Sequence, residues 1–190
     1  PNYGDTSADD PRYRPLVHKA AELGVYVYLH PQLPKGQRDE GFGFTFAGPG
    51  LGFTVDTVTT LLRMVVSGLF DEVPQLKLVL GHLGEGLPFL MERIENRIKF
   101  LPNPALQCKQ DLRYYFRNNI WVTTSGNMSK EAFQCTKDVL GMDRILFASD
   151  YPYESVEDMM TFLGQLPLSQ EETEQLYFRN AQQALGIPQI

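Results

Sequence analysis

Three residues that could bind a metal ion or move a proton each follow a short apolar run. His30 follows VYVYL, His82 follows LKLVLG, and Asp150 follows ILFAS. Imidazole and carboxylate groups are the ligand types of a divalent ion such as zinc or manganese. A lone residue of this kind is more often a polar group satisfied by hydrogen bonds, but the repeated pattern favours one shared site. A catalytic zinc takes about three protein ligands, so we expect further ligands from elsewhere.

Two charged residues follow His82 on what the pattern predicts to be a helix. Glu85 lies three residues after His82. Its carboxylate suits the start of a helix because of the helix dipole, and it could also fix the His82 tautomer and raise its basicity. Arg93, further along, is either an exposed or salt-bridged side chain or an anion-binding group. The remaining histidine, His18, is expected to be exposed and structural.

Four short β-rich runs must carry the candidate residues. They are residues 25–29, 76–80, 120–124 and 145–148. Continuous apolar strands favour a parallel sheet covered on both faces. The carboxyl ends of parallel strands lie at one rim, whether the sheet is open or closed into a barrel. The residues after the strands are therefore expected to meet.

Helical patterns alternate with these runs. They cover residues 12–23, 54–70, 85–100, a segment that begins at Ser129, residues 155–165 and a last segment that begins at Ser169. Gly24 predicts a helix end, Thr54 an N-cap, and Ser169 with Glu172 a capping box. The alternation predicts an α/β fold, either an open doubly wound sheet or part of a (β/α)8 barrel of about 250 residues. In the barrel interpretation, the 190 residues form a single-domain fragment, the C-terminal half.

Residues 31–53 form a long irregular stretch with six glycines and four phenylalanines. The glycines lack the spacing of a dinucleotide fingerprint or a phosphate-binding loop. Connections of this length are usually functional or disordered. The stretch is therefore either a mobile surface loop or a lid that lays aromatic rings over a site.

The composition of the chain limits the kinds of partner and location to expect. The net charge of -6 and the lack of a Lys/Arg cluster argue against nucleic acid. Cys108 and Cys135, the only cysteines, do not form a CxxC pair, which fits a reducing, cytoplasmic location. No apolar run approaches the length of a membrane span. The polar start at Pro1 is interpreted as a start inside a longer protein.

Several segments together resemble one family of metal enzymes. They are GHLGEGLPFLMERIENR with YLHP, FASDYPYE, DDPRYRPL and FRNAQQALGI. They resemble amidohydrolase-related enzymes of the aminocarboxymuconate semialdehyde decarboxylase type, nearest to the γ-resorcylate and 2,3-dihydroxybenzoate decarboxylases. HLGEGLPF is the specific motif, and the other segments fall in the right order. The resemblance implies a (β/α)8 barrel with zinc or manganese at its C-terminal rim.

The resemblance also implies roles for individual residues. His30 and Asp150 match metal ligands, and His82 with Glu85 matches a histidine–acid pair beside the substrate. Arg93 matches an arginine that can reach an active site, its own or that of a neighbouring subunit of a homo-oligomer. Tyr151 and Tyr153 match aromatic positions beside the substrate ring. The metal motif of the family's first strand is absent from these residues, so a longer protein is expected to supply it.

The implied reaction is non-oxidative decarboxylation of a hydroxylated aromatic or related carboxylic acid. Asp150, or a group it controls, would deliver a proton to the ring carbon, and His82 with Glu85 would handle the hydroxyl proton, beside the metal. A hydrolase of the same superfamily, which cleaves an ester, amide or lactone with Asp150 as base, would use the same ligands. A non-catalytic fragment that keeps the fold without the metal is the third alternative.

Overall fold

The computed structural model describes residues 2–3, 6–33, 43–101 and 103–188. Its strands are β1 Asn2–Tyr3, β2 Thr6–Ser7, β3 Tyr26–Leu29, β4 Lys77–Leu80, β5 Ile120–Thr123 and β6 Ile145–Leu146. Its helices are α1 Arg14–Glu22, α2 Gly43–Thr45, α3 Gly52–Val66, α4 Leu69–Glu72, α5 His82–Glu85, α6 Leu87–Phe100, α7 Leu112–Asn118, α8 Lys130–Leu140, α9 Val156–Gly164, α10 Gln170–Glu174 and α11 Asn180–Leu185. Short 3-10 segments cover Pro11–Tyr13 and Met142–Arg144, and wider π-type turns cover Phe46–Gly50 and Gln175–Arg179.

The main sheet has four parallel strands in the order β3-β4-β5-β6. Each strand lies beside the next one in the chain, as the strands of a (β/α)8 barrel do. An open doubly wound sheet instead reverses its strand order at a switch point. The predicted α/β class is thus confirmed, and the strand order favours an arc of a barrel over the open sheet.

The two faces of the sheet pack into different hydrophobic clusters. Leu78 and Leu80 of β4 join Val122 of β5 in the large core cluster that the helices cover. The alternate residues Val79 and Trp121 belong to a small second cluster with residues of β6 and α11. In β4 and β5, residues on both faces are buried, which explains why these runs are continuously apolar rather than alternating.

Local sequence signals predicted several helix ends. Ser129 and Ser155 accept hydrogen bonds from backbone N–H groups in the first turns of α8 and α9. The capping box of Ser169 with Glu172 is present, and Gly24, with φ of 67°, follows α1. His18 is exposed on α1 and pairs with Glu72, 2.9 Å away, as a structural residue would.

Other predicted boundaries were wrong. The helix predicted over 54–70 begins at Gly52 and breaks at Gly68, whose φ is 77°. Thr54 is not its N-cap; it lies within the first turn of α3, after the N-cap Leu51. The helix predicted from residue 85 begins at Leu87, after a turn of different handedness.

The last strand and one helix also differ from prediction. β6 is only Ile145–Leu146, because the next backbone N–H, that of Phe147, donates to the carbonyl oxygen of Leu176 and not to a neighbouring strand. Helix α7 was not predicted, although Asp111 accepts from Tyr114 N–H as its N-cap. Of the stretch 31–53, residues 34–42 lie outside the described residues. Among the described helices, none combines the length and apolarity needed to cross a membrane.

Candidate active site

The carboxyl ends of the strands open into a cavity of about 760 Å³. Its lining includes His30 after β3, His82 and Glu85 after β4, and Asp150 after β6, together with Pro31, Phe44, Pro49, Phe53, Thr54, Gly86, Gly126, Asn127, Tyr153 and Glu154. Parallel strands point their carboxyl ends to one rim, so residues far apart in the chain meet there. The three candidates that follow strands thus share one cavity.

His82 and Glu85 form a hydrogen-bonded pair on the cavity wall. His82 Nδ1 lies 2.8 Å from Glu85 Oε1, and a carboxylate oxygen can only accept, so Nδ1 carries the proton. The other oxygen, Glu85 Oε2, accepts from the Thr54 hydroxyl at 2.7 Å. Both oxygens of a side chain that is only 4% exposed therefore have partners. His82 Nε2 is left facing Asp150 Oδ2 at 3.6 Å.

The surroundings of His82 raise the proton affinity of its imidazole. The hydrogen bond with Glu85 raises the pKa of His82 above its ordinary value; burial opposes this, and the charges of Glu85 and Asp150 add to it. An imidazole held by two carboxylates is stabilised in its charged form. A histidine in this setting can take up a proton on one nitrogen while the other remains held, as general acid–base catalysis requires.

The backbone around His82 adopts an unusual left-handed turn. φ is 51° at His82, 54° at Leu83, 80° at Gly84, 56° at Glu85 and 74° at Gly86. Non-glycine residues rarely adopt this region because the Cβ crowds the backbone. Among the described residues, the only other non-glycine residue with positive φ is Asp150, at 81°. Such strain clusters at functional sites and persists only where surrounding contacts fix it.

A row of hydrogen-bonded hydroxyl groups supports this turn. His82 N–H donates to Ser125 Oγ at 3.1 Å. Ser125 Oγ lies 2.8 Å from Thr123 Oγ1, which lies 3.1 Å from Tyr28 Oη. Gly81 leaves room for the row, since a Cβ there would come within 3.3 Å of Ser125 Oγ. The row thus runs from β3 to the end of β5, beside Gly81 at the end of β4.

Sequence reasoning missed Thr54 and Ser125. Ser125 had a usable signal, since SGN follows the third apolar run just as the predicted site residues follow the other three. Thr54 had none, because its partner Glu85 lies 31 residues away in the sequence and the contact depends on how α3 packs. Its position was instead interpreted as an N-cap.

His30 and Asp150 have the donor chemistry of a divalent metal site. His30 Nδ1 lies 2.9 Å from the carbonyl oxygen of Pro31, which can only accept, so Nε2 keeps its lone pair for a ligand. Asp150 offers a carboxylate on the same cavity, whereas both oxygens of Glu85 already have partners. Within the part of the chain that the structure describes, no three His, Cys, Asp or Glu residues could hold a metal ion together. The two residues fit a metal as part of a ligand set.

Aromatic side chains cover one side of the cavity. Phe44 and Phe53 both line it, and their rings meet edge to face with centroids 5.9 Å apart. They come from the described part of the glycine- and phenylalanine-rich stretch. Such a wall suits a flat aromatic ligand, because ring faces and edges attract each other.

The three residues expected to bind substrate are less closely associated with the cavity. Tyr153 lines it but is 88% exposed. Tyr151 is 76% exposed and is not part of the lining. Arg93 is exposed on α6 and is likewise outside the lining. Their substrate-binding roles stay predictions, including that of Arg93 toward a neighbouring subunit.

Comparison with known proteins decides the family. The profile of the family described as Amidohydrolase matches residues 1–187. The chain belongs to the amidohydrolase family. This confirms the resemblance drawn from the HLGEGLPF motif, and it agrees with a barrel arc whose polar residues gather at the strand ends.

Curated members of the amidohydrolase family similar to this chain include two decarboxylases. The γ-resorcylate decarboxylase of Rhizobium sp. (strain MTP-10005) is 35% identical over 183 residues, which is 94% of this chain and 56% of that protein. The decarboxylase orsB of Emericella nidulans is 33% identical over 187 residues, 92% of this chain and 56% of that protein. The chain therefore spans about half the length of these relatives.

Solved structures of the family agree with the fold. A dihydroxybenzoic acid decarboxylase from Polaromonas sp. JS666, with bound manganese and the inhibitor 2-nitroresorcinol, superposes with a TM-score of 0.89 at 31% identity. The match covers 100% of this chain and 58% of that one. The 5-carboxyvanillate decarboxylase from Sphingomonas paucimobilis gives a TM-score of 0.88 at 32% identity, covering 98% of this chain and 57% of that one.

Proposed function

We propose that this chain carries the catalytic rim of a metal-dependent decarboxylase that removes the carboxylate of a hydroxylated aromatic acid as carbon dioxide. The observation that carries the proposal is the Thr54–Glu85–His82–Asp150 arrangement on a cavity with an aromatic wall. The relatives support it, since those named above are decarboxylases and one is crystallised with manganese and an aromatic inhibitor. Small aromatic carboxylic acids are the proposed substrates.

Asp150 and His82 would handle the protons. Asp150, or a group that it controls, would deliver a proton to the ring carbon that carries the carboxylate. His82, held by Glu85, would take up the proton of the neighbouring hydroxyl and return it later. The bond from the ring to the carboxylate then breaks, its electron pair restores the aromatic ring, and neutral carbon dioxide leaves. One carboxylate and one proton thus give one arene and one carbon dioxide.

His30 and Asp150 would hold the metal, with further ligands from elsewhere. When bound, a divalent ion would supply Lewis acidity that orients and polarises the acid and its hydroxyl. Phe44 and Phe53 would pack on the substrate ring and keep water from it. Arg93, exposed on α6, is proposed to act in a neighbouring subunit of a homo-oligomer.

The decisive experiment measures carbon dioxide release by the full-length protein after loading with manganese. The substrates are hydroxybenzoates with a hydroxyl beside the carboxylate. Analogues in which that hydroxyl is methylated serve as negative controls, from which no carbon dioxide release is expected. Release from the hydroxyl-bearing acids alone supports the decarboxylase. Hydrolysis of ester, amide or lactone substrates without release would favour the hydrolase, and inactivity with no bound metal would favour the non-catalytic fragment.

Glu85→Gln tests the pair while preserving shape. The amide cannot stabilise a charged imidazole as a carboxylate does, so we expect turnover to fall about 100-fold with little change in metal content. The measurements are steady-state rates and metal analysis by mass spectrometry on the same preparation. Unchanged turnover would remove Glu85 from the mechanism.

His30→Ala tests the metal assignment. Loss of a ligand should reduce the metal content of the protein after dialysis against limiting manganese. His18→Ala is the matched control, since that histidine is exposed on α1, away from the cavity, and bonds Glu72. A folded His30→Ala variant that retains one metal ion per chain contradicts the ligand assignment.

A further inference from the structure

A second cavity of about 270 Å³ adjoins the first one. The two share His82, Gly86 and Asn127 in their linings. The His82 side chain therefore borders both spaces. The aromatic wall of Phe44 and Phe53 belongs only to the larger cavity.

The smaller cavity lies between α6 and α8 and reaches the surface. Its lining includes Leu83 and Thr136, each 2% exposed. It also includes Phe89, which is 81% exposed, and the exposed Glu131. A space with buried residues beside His82 and exposed residues at its outer edge forms a path to solvent that avoids the aromatic wall.

The chemistry of this path suits a small uncharged molecule. Leu83, Pro88, Ala132 and Cys135 supply apolar or weakly polar surface. The Thr136 hydroxyl faces the carbonyl oxygens of Ala132 at 2.9 Å and of Leu83 at 3.2 Å, so it already has acceptors.

The remaining polar residues of the lining also have partners. Asn127 Oδ1 accepts from Ser129 N–H at 3.1 Å, and Glu131 Oε2 accepts from the Ser129 hydroxyl at 3.1 Å. Of the lining residues, only His82 can carry a positive charge. The donors that a carboxylate could meet are mainly His82 and the NH2 group of Asn127, and the Glu131 carboxylate would repel it, so a carboxylate would regain little of its hydration in this space.

We propose that this second cavity receives carbon dioxide as it leaves the ring and conducts it to solvent. The inference rests on the proposed decarboxylation, which forms an uncharged, weakly hydrogen-bonding molecule beside His82. The aromatic product stays on the wall of the larger cavity while carbon dioxide departs by a separate route. Catalysis works in both directions, so the same space admits carbon dioxide when a phenol is carboxylated.

The kinetic test fills the cavity and measures the reverse reaction. Ala132→Leu places extra carbon atoms in the space, and Cys135→Leu does the same from a second position on α8. Gln134→Leu is the control, because it adds the same side chain to an exposed position of α8. Initial carboxylation rates are measured in the manganese-loaded protein with dissolved carbon dioxide and the phenol varied separately.

We expect the filling variants to raise KM for carbon dioxide about tenfold, while KM for the phenol changes less than about twofold. The Gln134→Leu variant should match the wild type in both constants. Thermal unfolding of each variant checks that it is folded. If wild type carboxylates and both folded filling variants keep its KM for carbon dioxide, the second-cavity proposal is overturned while the decarboxylase stands.

A structural readout needs no turnover. Xenon binds in apolar sites, so crystals of wild type and Gln134→Leu under xenon pressure should show a xenon atom beside Leu83 and Ala132, and Ala132→Leu should not. A wild type that binds no xenon there would overturn the proposal. If wild type neither releases nor fixes carbon dioxide, the proposed function itself is wrong and the carbon dioxide assignment falls with it.

Discussion

At the scale of single residues, the site depends on how one carboxylate is held. One carboxylate oxygen of Glu85 accepts a hydrogen bond from His82, and the other accepts one from Thr54. The first contact follows from a spacing of three residues and was predicted. The second joins α3 to the turn after β4, and no local pattern indicates it. Thr54 is therefore a positioning residue that acts through Glu85.

Thr54→Val should slow turnover roughly 10- to 100-fold with little change in KM, because a buried charged acceptor loses a hydrogen bond. Thr54→Ser keeps the hydroxyl and should retain most activity. Thr59→Val makes the same substitution at an exposed position of α3 and serves as control. Steady-state rates decide between the outcomes, and a Thr54→Val variant as fast as Thr59→Val contradicts the positioning role.

At the scale of elements, a left-handed turn takes the place of the predicted start of a helix. The motif HLGEGLPF contains Gly84 and Gly86, which adopt positive φ readily, but nothing in it indicates positive φ at His82, Leu83 and Glu85. Hydrogen bonds to Ser125 and Thr54 hold that turn. Since these partners lie on other elements, the handedness depends on packing rather than on propensity.

Gly126, in the loop after β5, lies against the catalytic groups. A Cβ there would come 3.0 Å from His82 Cδ2 and 3.2 Å from Asp150 Oδ2. Gly126 has φ of +61° and Gly24 has +67°, but a Cβ at Gly24 would meet nothing within 4 Å. The two glycines thus share a backbone conformation and differ in what surrounds them.

Gly126→Ala and Gly24→Ala should each lower the free energy of unfolding by about 1 kcal/mol, because alanine disfavours positive φ. Only Gly126→Ala should also reduce turnover, since its methyl group displaces His82 or Asp150. Urea unfolding and steady-state kinetics on both variants separate the two effects. Equal activity in the two variants would show that the space beside His82 is not needed.

At the scale of the whole molecule, a long-range ion pair connects Asp9, near the start of the sequence, to helix α3 of the barrel arc. Arg63 on α3 binds both carboxylate oxygens of Asp9 at 2.9 Å. Burial acts to raise the pKa of Asp9, but the hydrogen bonds from Arg63 and the positive charge of Arg63 outweigh burial and lower the pKa below 3.8. Arg12 with Asp10 is a comparable pair, but its partners lie two residues apart, so it adds little to tertiary structure.

Arg63→Met should lower the free energy of unfolding at pH 7 by up to about 1 kcal/mol, a small effect because Arg63 is partly exposed. The pKa of Asp9 is depressed in the folded state, so its stabilisation is present above pH 3.8 and is lost as the pH falls through the folded value. The difference from wild type should therefore shrink in acid. Urea unfolding from pH 7 to pH 3 measures it, with Arg12→Met as control; a gap that persists in acid contradicts the assignment.

Much of the fold could be predicted because it depends on local pattern. Apolar runs define strands, caps such as Ser129 and Ser169 define helix starts, and parallel strands bring their carboxyl ends to one rim. That rule was enough to select His30, His82 and Asp150. The alternation of elements did not separate a barrel arc from an open sheet, since both share it; the barrel was predicted from the family resemblance, and the strand order agrees with it.

The sequence by itself thus determined the elements, the rim and the types of chemistry there. Only the tertiary structure decided which atoms face one another: the Thr54 bond to Glu85, the row of hydroxyls under His82, the exposure of Arg93 and the second cavity beside α8. The physical reason is that strands and caps arise from interactions within a few residues. Hydrogen bonds and cavities between distant elements depend on how side chains pack in three dimensions, and that packing is not encoded in any single segment.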